Sequence, residues 1–577
     1  MNRIDHAVIG GLLVLLGAIA VLIGAPALMQ ASPTATPQPT VPTVADAPYR
    51  EGVLGRPVAV NPLAARTQAD RDLVALVFSG LVGRGPDGTL IPDLASRWTV
   101  DATGRTWTFD LRPDATWHDG APVTAQDVVF TVGVLNDPEY TGPGAGSWRE
   151  VFASVVDDDT VRFDLATPLG GFLELATQPI APSHLLADVP VADLAADTFG
   201  REPVGTGPYV VTQLDDDHAT LESTAEAIGS EPSGEPTFVP VPSDPLGKPT
   251  PTHRPSKPDP RLGRLEFRFF DDAASLESAF ESGELDTASG LTPVAADALA
   301  TAADARQLRY PGTTLTTILL NQRPSHPELR DPAVRIALLQ ALDRQKIVDA
   351  AFAGRATIAD SAIPPTSWAF DSVASAKVAT DPAAAAAALT KAGWTKVDDR
   401  LRPPGATDAY TLEILSPGEM NPALNAVAEQ VAADWAAVGV TTRVVDADAD
   451  TPMADRLAKG EFGAAVADIS IGHDPDLYPL LASSQTRTGG LNVSGVQDAA
   501  LDALLLAARQ PGTDEARKAA YTALQTQLAT GRYLLPIAFA DEVVVARDTL
   551  QDVVTQPVSD GSDRYWDVLT WRLANGR

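Results

Sequence analysis

The chain has 577 residues, a formal net charge of −32 and 45% hydrophobic residues, so it is long enough for two or three ordinary domains and has a globular composition. The acidity argues against nucleic acid as a partner, because phosphate binding needs a basic face. Cysteine is absent, which excludes disulfides, thiolate nucleophiles and Cys–zinc sites.

Residues 1–30 open the chain. Ala7 to Met29 is uncharged and mostly apolar over 23 residues. That is close to the roughly 20 that span a bilayer and longer than the roughly 7–15-residue core of a secretory signal. The stretch predicts an uncleaved membrane anchor, with a cleaved export signal as the alternative. Either exports the remainder. Residues 31–48 are rich in Pro, Thr and Ala and read as an extended spacer.

The folded part is expected from Tyr49. A helical pattern follows Asn61-Pro62-Leu63 through Asp72, Val74, Leu76 and Val77. Trp107, Phe109 and Leu111 alternate with Thr108 and Asp110, the period of a strand with one buried face. Asp114 to Pro122 is turn-rich. Thr124 and Asp127 then have capping-box spacing, flanked by Val123 and Val128 where a hydrophobic staple belongs. Val161, Phe163 and Leu165 predict another strand. Ile228 to Pro260 is a Pro-, Ser- and Gly-rich insertion, after which Leu265, Phe267 and Phe269 read as a strand.

Further on, Asp331-Pro332 and Asp381-Pro382 are each an N-cap followed by proline at the first helical position. The first helix they open carries Val334, Leu338 and Leu342 on one side, and the second, alanine-rich, ends at Gly393 before Trp394. Asp343 to Gly354, Pro422 to Gly439 and Asp514 to Thr530 are also helical, while Thr441–Val445 and Tyr533–Ala546 are strand-like. Alternating helices and strands predict α/β lobes.

The order Ala95, Trp98, Trp107-x-Phe109-x-Leu111-Arg112, Trp117-His118-Asp119-Gly120, Pro122, Thr124-Ala125, Asp127-Val128-x-Phe130 resembles the signature of the family 5 extracellular solute-binding proteins. These are the peptide- and nickel-binding receptors of ABC importers. Ala181-Pro182-Ser183-His184-Leu185-Leu186, Val204-Gly205-Thr206-Gly207-Pro208-Tyr209 and Pro364-Pro365-x-x-Trp368 resemble further landmarks of that family. Many relatives are lipid-anchored through a cysteine, which this chain lacks. The resemblance implies an α/β, two-lobed periplasmic-binding-protein fold of the large class II-like type. Lobe I is expected over 49–264, including the 228–260 insertion, and again over 538–577. Lobe II is expected over 265–537, with hinge crossovers near Leu265–Phe270 and Pro536–Val545. It further implies a monomer that captures a peptide or other small solute by closure and presents it to separate permease subunits, without cofactor or catalysis.

No G-x-S-x-G, H-E-x-x-H or P-loop pattern occurs, and the seven histidines are scattered. Asp446, Asp448 and Asp450 imitate the start of a calcium loop, but Thr451 and Leu457 stand where glycine and glutamate belong. Asp468, His473, Asp474 and Asp476 have ligand chemistry without metal-site spacing. They read better as cleft lining, since Asp474-Pro475-Asp476 resembles the segment after the ligand loop in relatives.

Dipeptide-binding relatives place an aspartate three residues before that segment, where this chain has Ile471. They place an arginine before the next Asn-Pro, where this chain has Gly418-Glu419-Met420. The resemblance therefore implies a pocket without the paired charges that hold a free dipeptide. A longer peptide, a cationic ligand seen by Asp468 and Glu419, or a non-peptide solute stay open. The remaining candidate ligand contacts are Trp368, Thr314, Thr67, Gln68 and Trp148. An exported hydrolase, or a sensor or scaffold that lost transport, are the alternative functions.

Overall fold

The computed structural model describes residues 48–85, 89–144, 146–224, 260–407, 410–447 and 452–574. The expected anchor, the spacer up to residue 47, the insertion up to residue 259, and Asp448, Asp450 and Thr451 of the calcium-loop imitation lie outside the described residues. Among the described residues no helix is long and apolar enough to cross a membrane.

Two large mixed sheets form the two lobes. The first has seven strands in the order Ala305–Tyr310, Glu542–Arg547, Thr287–Ser289, Tyr49–Leu54, Arg264–Phe270, His218–Ser223 and Tyr209–Leu214. The second has six, in the order Ala356–Ile358, Leu534–Ala540, Thr314–Leu320, Ala464–Ser470, Leu412–Ser416 and Thr442–Asp446. A separate four-stranded antiparallel sheet, Ala95–Val100, Thr106–Leu111, Thr160–Leu165 and Val151–Asp157, packs into the same core as the first sheet. Its centre is a cluster of Trp107, Phe109, Phe163 and Phe172, with ring centroids 5.1–6.5 Å apart. At that spacing edge-to-face pairs add to the burial term.

The boundary between the lobes differs from the expected one. Arg264–Phe270 pairs in parallel with Tyr49–Leu54, and Thr287–Ser289 and Ala305–Tyr310 stay in that sheet. Residues 265–310 therefore belong with the first sheet, and the second begins at Thr314. The chain returns at Asp541, which splits the expected single run into Leu534–Ala540 in the second sheet and Glu542–Arg547 in the first. Alternation in Leu265, Phe267 and Phe269 reveals a buried face but not which sheet owns it. That ambiguity is the reason for the misplaced boundary.

Local signals predicted the elements well. Thr124 caps the helix Ala125–Leu135, and the Asp127 carboxylate accepts from the Thr124 backbone N–H at 2.9 Å. Asp127 is 2% exposed, because it also accepts from the Trp117 indole at 3.3 Å and from Ser183 N and Oγ at 2.9 and 2.6 Å. One capping residue thus ties three landmark segments together. His118 has a similar role. Its Nδ1 accepts from Gly205 N at 3.2 Å and its Nε2 lies 3.0 Å from the Gly207 carbonyl, which makes Nε2 the donor. It pins a loop where a Cβ on Gly205 would sit 1.9 Å from the Val77 carbonyl oxygen.

Candidate ligand-binding cleft

Loops at the carboxyl ends of strands are where open α/β sheets bind ligands. In the second lobe, Ala464–Ser470 runs parallel to Leu412–Ser416 and delivers the loop Ile471–Asp476. Gly472 turns this loop at φ +75°, a left-handed conformation that side chains avoid. The loop faces a cleft of about 790 Å³. The first-lobe wall comes from Arg71 and Val74 on the helix Gln68–Val77, from Arg84, from Trp148 to Val151, and from Glu174. The C-terminal segment supplies a floor of Asp560, Asp563, Tyr565 and Trp566.

The two lobes are bridged across this cleft. Arg487 pairs with Glu150 at 2.9 Å, Arg509 donates to Thr167 Oγ1 at 2.9 Å, and Gly170 N donates to the Arg509 carbonyl at 2.7 Å. Arg149 donates to the Gly489 carbonyl.

Charged side chains on both walls of the cleft are tightly paired. Arg71 meets Asp560 at 2.7 Å and Arg509 meets Asp476 at 3.0 Å, while Arg84 pairs with Glu174. Asp474 is turned to Arg517 at 2.7 Å. Burial raises the carboxyl pKa of Glu174; Arg84 pulls it back, and Asp474 and Asp563 push it further up. Asp563 is raised by burial as well, although it accepts from Ser559 N and Asp560 N at 2.7 and 3.1 Å. His473 Nε2 lies 4.0 Å from an Asp563 oxygen. Burial, with the Arg84 charge, drives the imidazole down to about 3, so it is neutral at physiological pH. Among the described residues, four buried polar atoms of lining residues have no hydrogen-bond partner: Arg71 Nε and Trp566 Nε1 from the first lobe, and His473 Nε2 and Arg509 Nε from the second. Of these, His473 Nε2 on the loop and Trp566 Nε1 on the floor offer hydrogen bonds from both lobes to a molecule held between them.

Of the residues singled out from sequence, Trp148 and Ile471 line the cleft, and so do His473, Asp474 and Asp476 of the polar cluster. The others lie outside its lining. Trp368 stands edge-on to Tyr521 at 5.2 Å beneath the Arg517 guanidinium, so it buttresses the residue that pairs with Asp474. Asp468 accepts from Thr316 Oγ1 at 2.6 Å, because its strand pairs with Thr314–Leu320. Thr314 donates to the Ser559 carbonyl at 3.3 Å. Thr67 caps the helix Gln68–Val77, and Gln68 donates to Asp72 and Asp560, the latter a floor residue. Glu419 is exposed at the turn before Pro422–Ala437. Sequence reasoning missed Arg84, Glu174, Arg509 and Trp566, which carry no motif. Asp563 had a legible signal, the Asp560-x-x-Asp563 capping box of the last helical segment.

A family model described as bacterial extracellular solute-binding proteins, family 5 middle, matches residues 89–490, more than half of the chain. Di/tripeptide-binding protein 3 of Pseudomonas aeruginosa is 25% identical over 88% of this chain and 92% of its own length. Among solved structures, HbpA2 from Haemophilus parasuis superposes with a TM-score of 0.72 at 22% identity, covering 91% of this chain and 100% of that one. The oligopeptide-binding protein AppA of Bacillus subtilis, solved with a nonapeptide, gives 0.68 at 20% identity over 92% and 99%. The two-lobed architecture, the bridged cleft and the family match agree: this chain belongs to the bacterial extracellular solute-binding proteins, family 5.

Proposed function

We propose that the protein is the extracytoplasmic substrate-binding component of an ABC importer, a monomer that captures a peptide or peptide-like solute between its lobes and delivers it to permease subunits. The observation that carries this reading is the bridged cleft with unpartnered atoms of His473 and Trp566 contributed by the two lobes. Its volume is within the roughly 300–1,000 Å³ typical of sites that enclose small solutes. The names of relatives that bind di-, tri- and oligopeptides support the peptide class. Closure works because a solute touching both walls stabilises the closed state over the open one. The crossovers at 311–313 and Asp541 serve as the hinge.

Specificity follows from what the cleft lacks. Ile471 is apolar and lines the cleft, while Glu419 lies outside the lining. A free dipeptide would leave each terminal charge without its partner, at about 2–5 kcal/mol apiece. Calorimetry is expected to show binding from a mixed pool of longer short peptides and weak or no binding of free dipeptides. Tight dipeptide binding that depends on both termini would overturn the specificity, and no binding from the pool would overturn the peptide class.

The N-terminal apolar stretch completes the reading as an uncleaved single-pass anchor that holds the domain outside the membrane. N-terminal sequencing of the mature protein should begin at or near Met1. A start near Ala31 would show a cleaved signal and a secreted protein instead.

A further inference from the structure

A second cavity, of about 610 Å³, lies wholly within the second lobe. It is walled by Gln322–Pro324, Arg330, Arg335, the segment 495–498 and the end of the helix Asp514–Gly531. Three arginines line it: Arg323, Arg330 and Arg335. Among the described residues no Asp or Glu oxygen lies within 4.0 Å of any of them. This contrasts with the interlobe cleft, where Arg71, Arg84, Arg487 and Arg509 are all ion-paired.

Each guanidinium is positioned. Arg335 is 2% exposed and donates to the carbonyls of Leu329 at 2.9 Å, Arg330 at 2.8 Å, Gly531 at 2.5 and 2.9 Å and Arg532 at 2.9 Å. Carbonyls satisfy its hydrogen bonds but leave its charge uncancelled. Burial holds its pKa down to about 10, partly offset by Tyr533, Asp331 and Asp498, so it stays cationic at neutral pH. Arg323 threads between Gly460 and Gly495, where a Cβ would lie 2.9 and 2.5 Å from its side-chain atoms, and it donates to the Val493 carbonyl. Arg330 is exposed at the rim, and among the described residues no hydrogen bond or ion pair engages its side chain. The one carboxylate in the lining, Asp498, is already engaged. It accepts from Tyr533 Oη at 2.6 Å and from Ala500 N and Leu501 N at 2.9 and 3.2 Å. The lining therefore carries three positive charges against one, in a protein whose net charge is −32.

We propose that this cavity is a second ligand site, separate from the interlobe cleft, that binds a small dissolved phosphate-class oxyanion through Arg323 and Arg330 over the fixed charge of Arg335. Guanidinium forks match phosphate oxygens in geometry as well as charge. A small dissolved anion can pass the exposed Arg330 at the rim and approach the 2%-exposed Arg335 within the cavity, which an extended membrane surface cannot do.

Titration calorimetry of the full chain with inorganic phosphate, at ionic strength matched with chloride, tests this. The expected result is one saturable site. Its affinity should fall about tenfold or more in R330Q and further in R323Q/R330Q, as expected for losing charge-assisted hydrogen bonds. Both variants should bind the short-peptide pool as the parent does, which shows them folded with the cleft intact. R330Q changes an exposed side chain and keeps the test readable if the double variant folds poorly. No saturable phosphate heat, or the same affinity in R330Q as in the parent, overturns the proposal.

Discussion

Replacing Arg564 by methionine is expected to cost about 3–5 kcal/mol of folding stability, because it strands two buried carboxylates. Arg564 is 1% exposed and lies in the C-terminal 3₁₀ segment Gly561–Thr570. It reaches Glu51 at 2.9 Å on the strand Tyr49–Leu54, and both Asp72 oxygens at 2.8 and 2.6 Å on the helix Gln68–Val77. Glu51 also accepts from Tyr49 Oη at 2.7 Å and Tyr565 Oη at 2.8 Å, and Glu51 and Asp72 are 0% and 1% exposed. Burial raises the Asp72 pKa even though Arg564 pulls it down. The pair therefore does not fully repay its desolvation, and without the cation the penalty stands alone.

Two further outcomes distinguish this cause from lost packing. Adding E51Q and D72N to R564M should recover most of the loss in urea unfolding. The deficit of R564M alone should also shrink as pH falls from about 8 toward 4. The sign follows from Asp72, whose carboxyl pKa burial raises in the folded state: folding then takes up a proton, so acid favours the folded form. A deficit that is flat with pH and not rescued would mean that packing, not charge, was lost. The network lies under Tyr565 and beside Asp560, so it also fixes the cleft floor.

Gly312→Ala should weaken solute binding by about tenfold or more, a larger effect than its loss of about 1–3 kcal/mol in stability would produce through unfolding. Gly312 is in the first crossover between the sheets, and a Cβ there would lie 1.9 Å from the Ala540 carbonyl oxygen at the second. The crossovers touch, and both are braced. Thr313 N donates to the Val558 carbonyl at 2.8 Å, Val558 N donates to the Pro311 carbonyl at 2.9 Å, and Arg309 pairs with Asp541. The added methyl must push the two connections apart. That strain falls on the closed arrangement, so the population able to hold solute drops. Gly133→Ala is the control. It adds a methyl with no atom within 4 Å, inside the helix Ala125–Leu135, and should stabilise by about 0.5–1 kcal/mol without altering binding. Unchanged affinity in Gly312→Ala would show that closure does not depend on this contact.

The fold was legible where local chemistry decides structure. Asp331, Asp381 and Thr124 each cap the helix that their neighbours predicted, and Gly393 and Gly439 lie just past the helices they were expected to end. Sheet membership was not legible, since the alternation at 265–269 is the same whichever sheet the strand joins. The cleft was half legible. Ile471 through Asp476 are contiguous, and a strand end with a glycine turn marks them. Arg84, Glu174 and Trp566 reach the cleft from distant segments, by topology rather than by any pattern of their own. Trp368 and Asp468 misled for the opposite reason: the pairings with Tyr521 and Thr316 that occupy them are long-range.

Hydrogen–deuterium exchange of the full chain, with and without a peptide from the pool that binds, tests most directly whether solute is held between the lobes. The expected result is simultaneous protection of residues 146–151 and 165–179 on one wall and of 469–491 on the other. Protection confined to one lobe would contradict it.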